Sequence, residues 1–329
     1  KDAAFDERHQ DGALDSGDGD DDLGDGDGDD FATTDGGGES DRDGGGKPDG
    51  GAPSGPDVDR SESKLYDFPL DPKTLDSTVS DSLSTQYALL DTRTPSLGKL
   101  VLFLPGANNS PGDWRNHGRK LAEFGFHVLI PHYNNRWSSN GTCDGKGGSC
   151  GNDTRWEALV GEDVSSAITI SRADSAEGRV VTMIKHLMTA HAGGDWGYYL
   201  AENDELAYGK IIIAGISHGA ASAGMYATKR PFSRNVMHSS GPAGDAKATK
   251  ITPVSAWYGF VHTEDEAYEN IIGPWKNFGV PGEPTNVDGK EPPFGSSHRL
   301  TTSAASGYPH VSTCVHGESQ KDGSGNYVF

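Results

Sequence analysis

"IIIAGISHGAASAG", residues 211–224, joins three isoleucines to a Gly-x-Ser-x-Gly and then to a row of alanines and glycines. A short β-branched run with no polar alternation is the pattern of a strand buried on both faces. The small residues after it suit a helix lying close against a sheet. Between them Ser217 is flanked by Gly215 and Gly219, where larger side chains would collide with neighbouring backbone in a sharp strand-to-helix turn. Such a turn lifts a hydroxyl out of the sheet. The amides at the start of the following helix then place partial positive charge beside it.

Working outward, the same alternation recurs. "STQYALLDT" (84–92), "KLVLFLPG" (99–106) and "FHVLIPHY" (126–133) read as strands. So do "KIIIAG" (210–215), "FSRNVMHSS" (232–240), "VSAWYGFVH" (254–262) and "SHRLTTSA" (297–304). A helix is expected after Ser110, with Ser110 as cap, Pro111 at its first position and Trp114, Leu121 and Phe124 on its apolar side; Gly125 is placed to end it. Residues 179–188 carry Val180, Ile184, Leu187 and Met188 at helical spacing, and "AYENIIGPWKNFG" reads as a helix that Pro274 kinks or splits. Apolar strands alternating with helices predict an α/β fold: a mainly parallel sheet flanked by helices on both faces.

Charge divides the chain of 329 residues. Residues 1–60 hold 20 acidic against 5 basic side chains, −15 of the formal −21. Runs such as "DSGDGDDDLGDGDGDD" contain too little apolar surface to offset the entropy of ordering, so residues 1–62 are expected to be a disordered Asp/Gly-rich tether ahead of one domain, 63–329. The near-match to a calcium loop at "DGDGDD" has Asp30 where the glycine belongs. The body shows no basic stripe with interleaved aromatics, which argues against nucleic acid as a partner, and no apolar run long enough to span a membrane.

Of three cysteines, Cys143 and Cys150 bracket the Gly-rich "DGKGGS", a turn that lets their side chains meet. A local disulfide is expected there, with two free thiols as the alternative; the bridge would imply an oxidising compartment. Cys314 is left over and reads as a small buried apolar residue. Secretion or display at a bacterial cell surface fits the bridge and the acidic leader. The chain opens on Lys rather than Met, consistent with a removed leader, and a lipid anchor upstream of residue 1 would suit the tether.

With the elbow at Ser217 in its strand-to-helix context, the body from about Ser84 to Val315 resembles the α/β-hydrolase superfamily, in its serine esterase and lipase-like branch. The resemblance implies a chain order of nucleophilic serine, then an acid after a later strand, then a histidine near the end. It also implies an oxyanion hole from the amide after the nucleophile, His218, and one from the loop after an earlier strand, Ala107 in "LFLPGANN". The HGGG form of that loop is absent. For the acid, Glu264, Asp265 and Glu266 directly follow a strand; Asp265 is favoured, with Asp288 a further candidate. For the base, His310 lies in the loop after the last strand, His298 opens that strand at the wrong end of the sheet, and His316 stands in reserve.

The implied chemistry is ester hydrolysis. Ser217 attacks a carbonyl, His310 accepts its proton, Asp265 holds the ring, and water releases an acyl-enzyme. It requires no metal and no organic cofactor. The expected partner is a small-molecule or polymeric ester. The same triad would serve a peptidase or amidase, and a noncatalytic binding module on this fold is the rival from another class. His218 is expected to line the pocket or pack beneath it. Trp137, Trp156 and Tyr308 are candidates for the pocket mouth or for plain packing, and the loop Asn134–Asp153 either rims the site or is a plain surface loop.

Overall fold

The computed structural model describes residues 55–315. Most of the expected tether and the reserve base His316 lie outside that range. Nine strands form one sheet: β1 (Leu65–Leu70), β2 (Gln86–Asp91), β3 (Leu100–Leu104), β4 (His127–Ile130), β5 (Ile211–Ile216), β6 (Arg234–His238), β7 (Trp257–His262), β8 (Thr285–Asn286) and β9 (Arg299–Thr302). Their spatial order is β1-β2-β4-β3-β5-β6-β7-β9-β8. Only β2 runs against its neighbours, pairing antiparallel with β1 and β4; every other pairing is parallel. This order, with one reversed strand near one edge, is that of an α/β-hydrolase fold.

Among the described residues six α-helices connect the strands: α1 (Pro72–Leu75), α2 (Arg115–Glu123), α3 (Cys150–Val160), α4 (Ala176–Ala190), α5 (His218–Lys229) and α6 (Tyr268–Asn277). Alternate residues of the central strands face opposite ways, which gives two cores. Leu100, Leu102, Leu104, Ile211 and Ile213 pack with Val180, Met183, Ile184 and Leu187 of α4 and Ala220, Ala223 and Tyr226 of α5. Val101, Phe103, Ile212, Ala214 and Ile216 face the other way, toward Trp114 and Ala122. Both faces are covered, so the central strands need no polar alternation. Each fully buried aliphatic side chain contributes roughly 1.5–3 kcal/mol.

Several local readings change. The segment after Ser110 starts as a 3₁₀ turn, Pro111–Trp114, before α2 proper, and Ser110 and Asp113 form a reciprocal capping box. Phe124 is exposed, not apolar lining: α2 buries His117, Gly118 and Ala122 instead. Helix α6 runs unbroken through Pro274. Residues 57–60, at the foot of the expected tether, bond to the body: the Asp59 amide donates to Gly193 O at 2.7 Å, and Arg60 Nε donates to Thr92 O at 3.0 Å. No helix among the described residues is long and apolar enough to cross a membrane.

Candidate active site

The turn at Ser217 is as tight as its glycines suggest. Ser217 has φ 53° and ψ −124°, outside the helical and extended regions, and it caps the start of α5. A Cβ on Gly215 would stand 2.5 Å from the Gly219 backbone, and one on Gly219 would stand 2.1 Å from Leu104 O and 2.5 Å from Pro105 O. The helix therefore approaches the carboxyl end of β3 at backbone distance. The Ser217 amide donates to His238 O at 2.9 Å, tying the turn to the last residue of β6.

Ala107 follows β3 in a loop whose shape is imposed by a residue the sequence reading passed over. Buried Asn135 donates through Nδ2 to Gly106 O at 2.7 Å and to Asn109 O at 2.8 Å. Asn108, between them, takes a left-handed conformation with φ 59°, which asparagine tolerates better than most residues. Gly106 lies beside the elbow: a Cβ there would be 3.6 Å from Ser217 Cβ. Neither the Ala107 nor the His218 amide donates to another group among the described residues. Both are left available to an incoming oxygen.

Asp265 and His310 meet. His310 Nδ1 donates to Asp265 Oδ2 at 2.8 Å, and the other carboxylate oxygen accepts from the Ala267 amide at 2.9 Å. The Asp265 side chain is fully buried, while the His310 side chain is 38% exposed. One end of the pair is thus dry and fixed and the other is partly exposed. Ser217 stands on the same carboxyl edge of the sheet, just past the end of β5, and the segment after His310 returns to it. Ser239 Oγ and Thr313 Oγ1 are 3.3 Å apart, one residue past the His238 carbonyl that holds the Ser217 amide.

The competing candidates lie elsewhere. Glu264 and Glu266 are exposed. Asp288 accepts from Thr302 Oγ1, from the Ser303 amide and hydroxyl, and from Asn286. Burial opposes its charge, but those donors outweigh it and hold the carboxyl down at about 2, a structural clamp. His298 bonds Trp257 O at the start of β7 and stacks on Tyr258 with ring centroids 3.9 Å apart, at the far end of the sheet.

His218 lies beneath the turn. Its Nδ1 is 3.1 Å from Ser138 Oγ, and its ring meets Trp137 edge-on at 5.3 Å. Burial, and then the nearby Arg155 guanidinium, hold its pKa well below the usual imidazole range, so the ring is neutral at pH 7. Arg155 itself donates to His218 O at 2.9 Å and to Ser222 Oγ at 2.6 Å, bracing the first turn of α5. Cys143 and Cys150 are bridged. Their loop reaches the loop after β3, where Ser139 Oγ donates to Asn108 Oδ1 at 3.0 Å. Trp156 is no part of a mouth: its ring packs against Tyr226, under the Lys229 ammonium, and its Nε1 donates to Glu162. Tyr308 is 60% exposed near His310.

No family model matches the chain, and no curated protein does. Among solved structures, a protein of Klebsiella pneumoniae subsp. pneumoniae MGH 78578, provisionally named a dienelactone hydrolase, is 9% identical. The match covers 78% of this chain and 92% of that one, with a TM-score of 0.37. At that distance the likeness carries no argument, and the strand order and directions stand by themselves for the fold.

Proposed function

We propose that this protein is a serine hydrolase of carboxylic esters, with Ser217 as nucleophile, His310 as general base and Asp265 as the group that orients it. The supporting observation is the 2.8 Å bond between His310 and the buried Asp265, on the sheet edge where Ser217 occupies its strained turn. A carboxylate accepting from Nδ1–H fixes the tautomer, leaving Nε2 as the basic nitrogen and stabilising the imidazolium that forms. A serine hydroxyl is a weak nucleophile at pH 7 until such a base takes its proton.

As Ser217 Oγ bonds to the ester carbon, its proton moves to His310 Nε2 and the carbonyl oxygen becomes an anion. The amides of Ala107 and His218 receive that charge, each such donor being worth about 3 kcal/mol of barrier. The imidazolium then returns the proton to the departing alkoxide. Water, deprotonated by the same nitrogen, releases the acid and restores the serine. The disulfide supports a secreted or surface location, since such bridges persist in oxidising compartments. Within that location we place the hydrolase body, from residue 63, behind an acidic tether.

The test offers short- and long-chain p-nitrophenyl esters and a matching anilide to the wild type and to Ser217→Ala. Ester turnover falling at least about 10⁴-fold in the variant is expected. Equal rates would overturn the serine mechanism. Turnover of the anilide alone would favour an amidase, and no turnover by folded wild type would favour the binding module.

A further inference from the structure

We propose that His117, His238 and Cys314 form a binding site for a zinc-class divalent cation beneath the nucleophile turn. The three come from separate elements. His117 is on α2, His238 is the last residue of β6, and Cys314 lies four positions beyond His310. One ligand atom from each lies within 4.8 Å of the other two. His117 and Cys314 are buried and His238 is half-buried, its Nδ1 atom buried with no hydrogen-bond partner among the described residues. That orphaned nitrogen is the observation that asks for a ligand. The Thr313 backbone favours the charged form of the same ring. In metal sites the second nitrogen of a ligating imidazole commonly bonds a carbonyl or carboxylate.

Donor chemistry selects the ion. Two imidazoles and a thiol, with no carboxylate, suit zinc rather than magnesium or calcium. Burial holds His117 at about 3 and His238 at about 4, so both rings are neutral at pH 7 and ready to ligate. Burial pushes the Cys314 thiol up, so the cation must displace its proton: R–SH and M²⁺ give R–S⁻–M²⁺ and H⁺. The Val315 amide now donates to His117 Nδ1 at 3.2 Å, and ligation through either nitrogen of that ring gives this bond up. Tetrahedral zinc holds its ligand atoms about 3.3–3.8 Å apart, so the site closes by roughly 1 Å through side-chain rotation. The bound ion would tie α2 and β6 to the segment that carries His310. No hydrolytic step passes through it.

The test uses the metal-free full-length chain with its disulfide intact, titrated with Co²⁺ and then Zn²⁺. Cys314 is the one cysteine outside the bridge, so any thiolate-to-cobalt charge-transfer absorption reports that residue alone. The band should saturate at one equivalent, bleach when Zn²⁺ replaces Co²⁺, and vanish in Cys314→Ala. Zinc affinity should fall at least about tenfold in both Cys314→Ala and His117→Phe. A wild type without the band, or zinc bound equally by wild type and Cys314→Ala, would overturn the proposal.

Discussion

Lowering the pH from 7 to 5 should unload a large share of the stability through one buried ring, His127 at the start of β4. The ring is wholly inaccessible. Its Nε2–H donates to Gly194 O at 2.8 Å, and its Nδ1 accepts from the Tyr199 hydroxyl at 2.9 Å. Burial is the main cause that lowers its pKa to about 4, against the bond to Gly194, which favours the charged form. Above about 6.5 the ring is neutral in both folded and unfolded chains. As the pH falls from there toward 4, the unfolded chain takes up a proton that the folded ring refuses, so stability is lost over that window. At about 1.4 kcal/mol per pH unit below 6.5, the loss between pH 7 and 5 is about 2 kcal/mol. His117, His132, His218 and His238, whose pKa values burial also lowers, contribute to the same window, so the comparison is with His127→Gln, which keeps a donor for Gly194 O and has no proton to gain. Urea unfolding followed by tryptophan fluorescence at pH 7, 6 and 5 reads both chains. The wild type should lose about 2 kcal/mol more than the variant across the range, a difference on the order of 1 M in midpoint shift. Parallel losses would refute the assignment of this window to His127.

Gly219→Ala places a methyl 2.1 Å from Leu104 O and should lift α5 off β3, destabilising by about 1–3 kcal/mol and reducing kcat about 10²-fold. Gly209→Ala, where a Cβ meets nothing within 4 Å, is the neutral control, and equal effects of the two on melting and turnover would contradict the close approach. Asn135→Ala strips two donors from the Ala107 loop and should cut kcat about tenfold while KM changes less; steady-state kinetics on one ester reads both. Replacing Cys143 and Cys150 together by serine opens a short loop and should lower unfolding free energy by about 2–3 kcal/mol in urea, an unchanged midpoint showing that the bridge adds nothing.

The parts of this molecule legible in the sequence are those where sterics leave few residue types. Gly215 and Gly219 had to lack side chains for α5 to reach β3, and buried central strands had to be apolar on both sides. What escaped has the opposite character. Strand β1, "LYDFPL", is a half-buried edge containing Pro69, and proline tolerated at an edge reads as a break. Helix α3 lay hidden because its interior is partly polar: buried Glu157 accepts from the amides of Val164, Ser165 and Ile170, which blurs any apolar stripe. Asn135 escaped because its partners are main-chain carbonyls, and Arg155 in part for the same reason, since a carbonyl leaves no letter in the sequence.

The same distinction explains how the site is held. Main chain takes part in several of the contacts around the proposed catalytic groups: the Ser217 amide bonds His238 O, the Asp265 carboxylate accepts from the Ala267 amide, and the Asn135 side chain holds the Ala107 loop through Gly106 O and Asn109 O. Such contacts do not depend on the identity of the residue lending its backbone. The surrounding residues can therefore drift far while the turn, the acid and the base keep their places. A chain with no family match can carry a recognisable hydrolase sheet for that reason. It follows that the substitutions most damaging to turnover will be those that move backbone, as at Gly219, or remove a side chain that grips it, as at Asn135. Exchanging the apolar residues of β5 among Ile, Val and Leu should cost less than about 1.5 kcal/mol each and leave kcat in place.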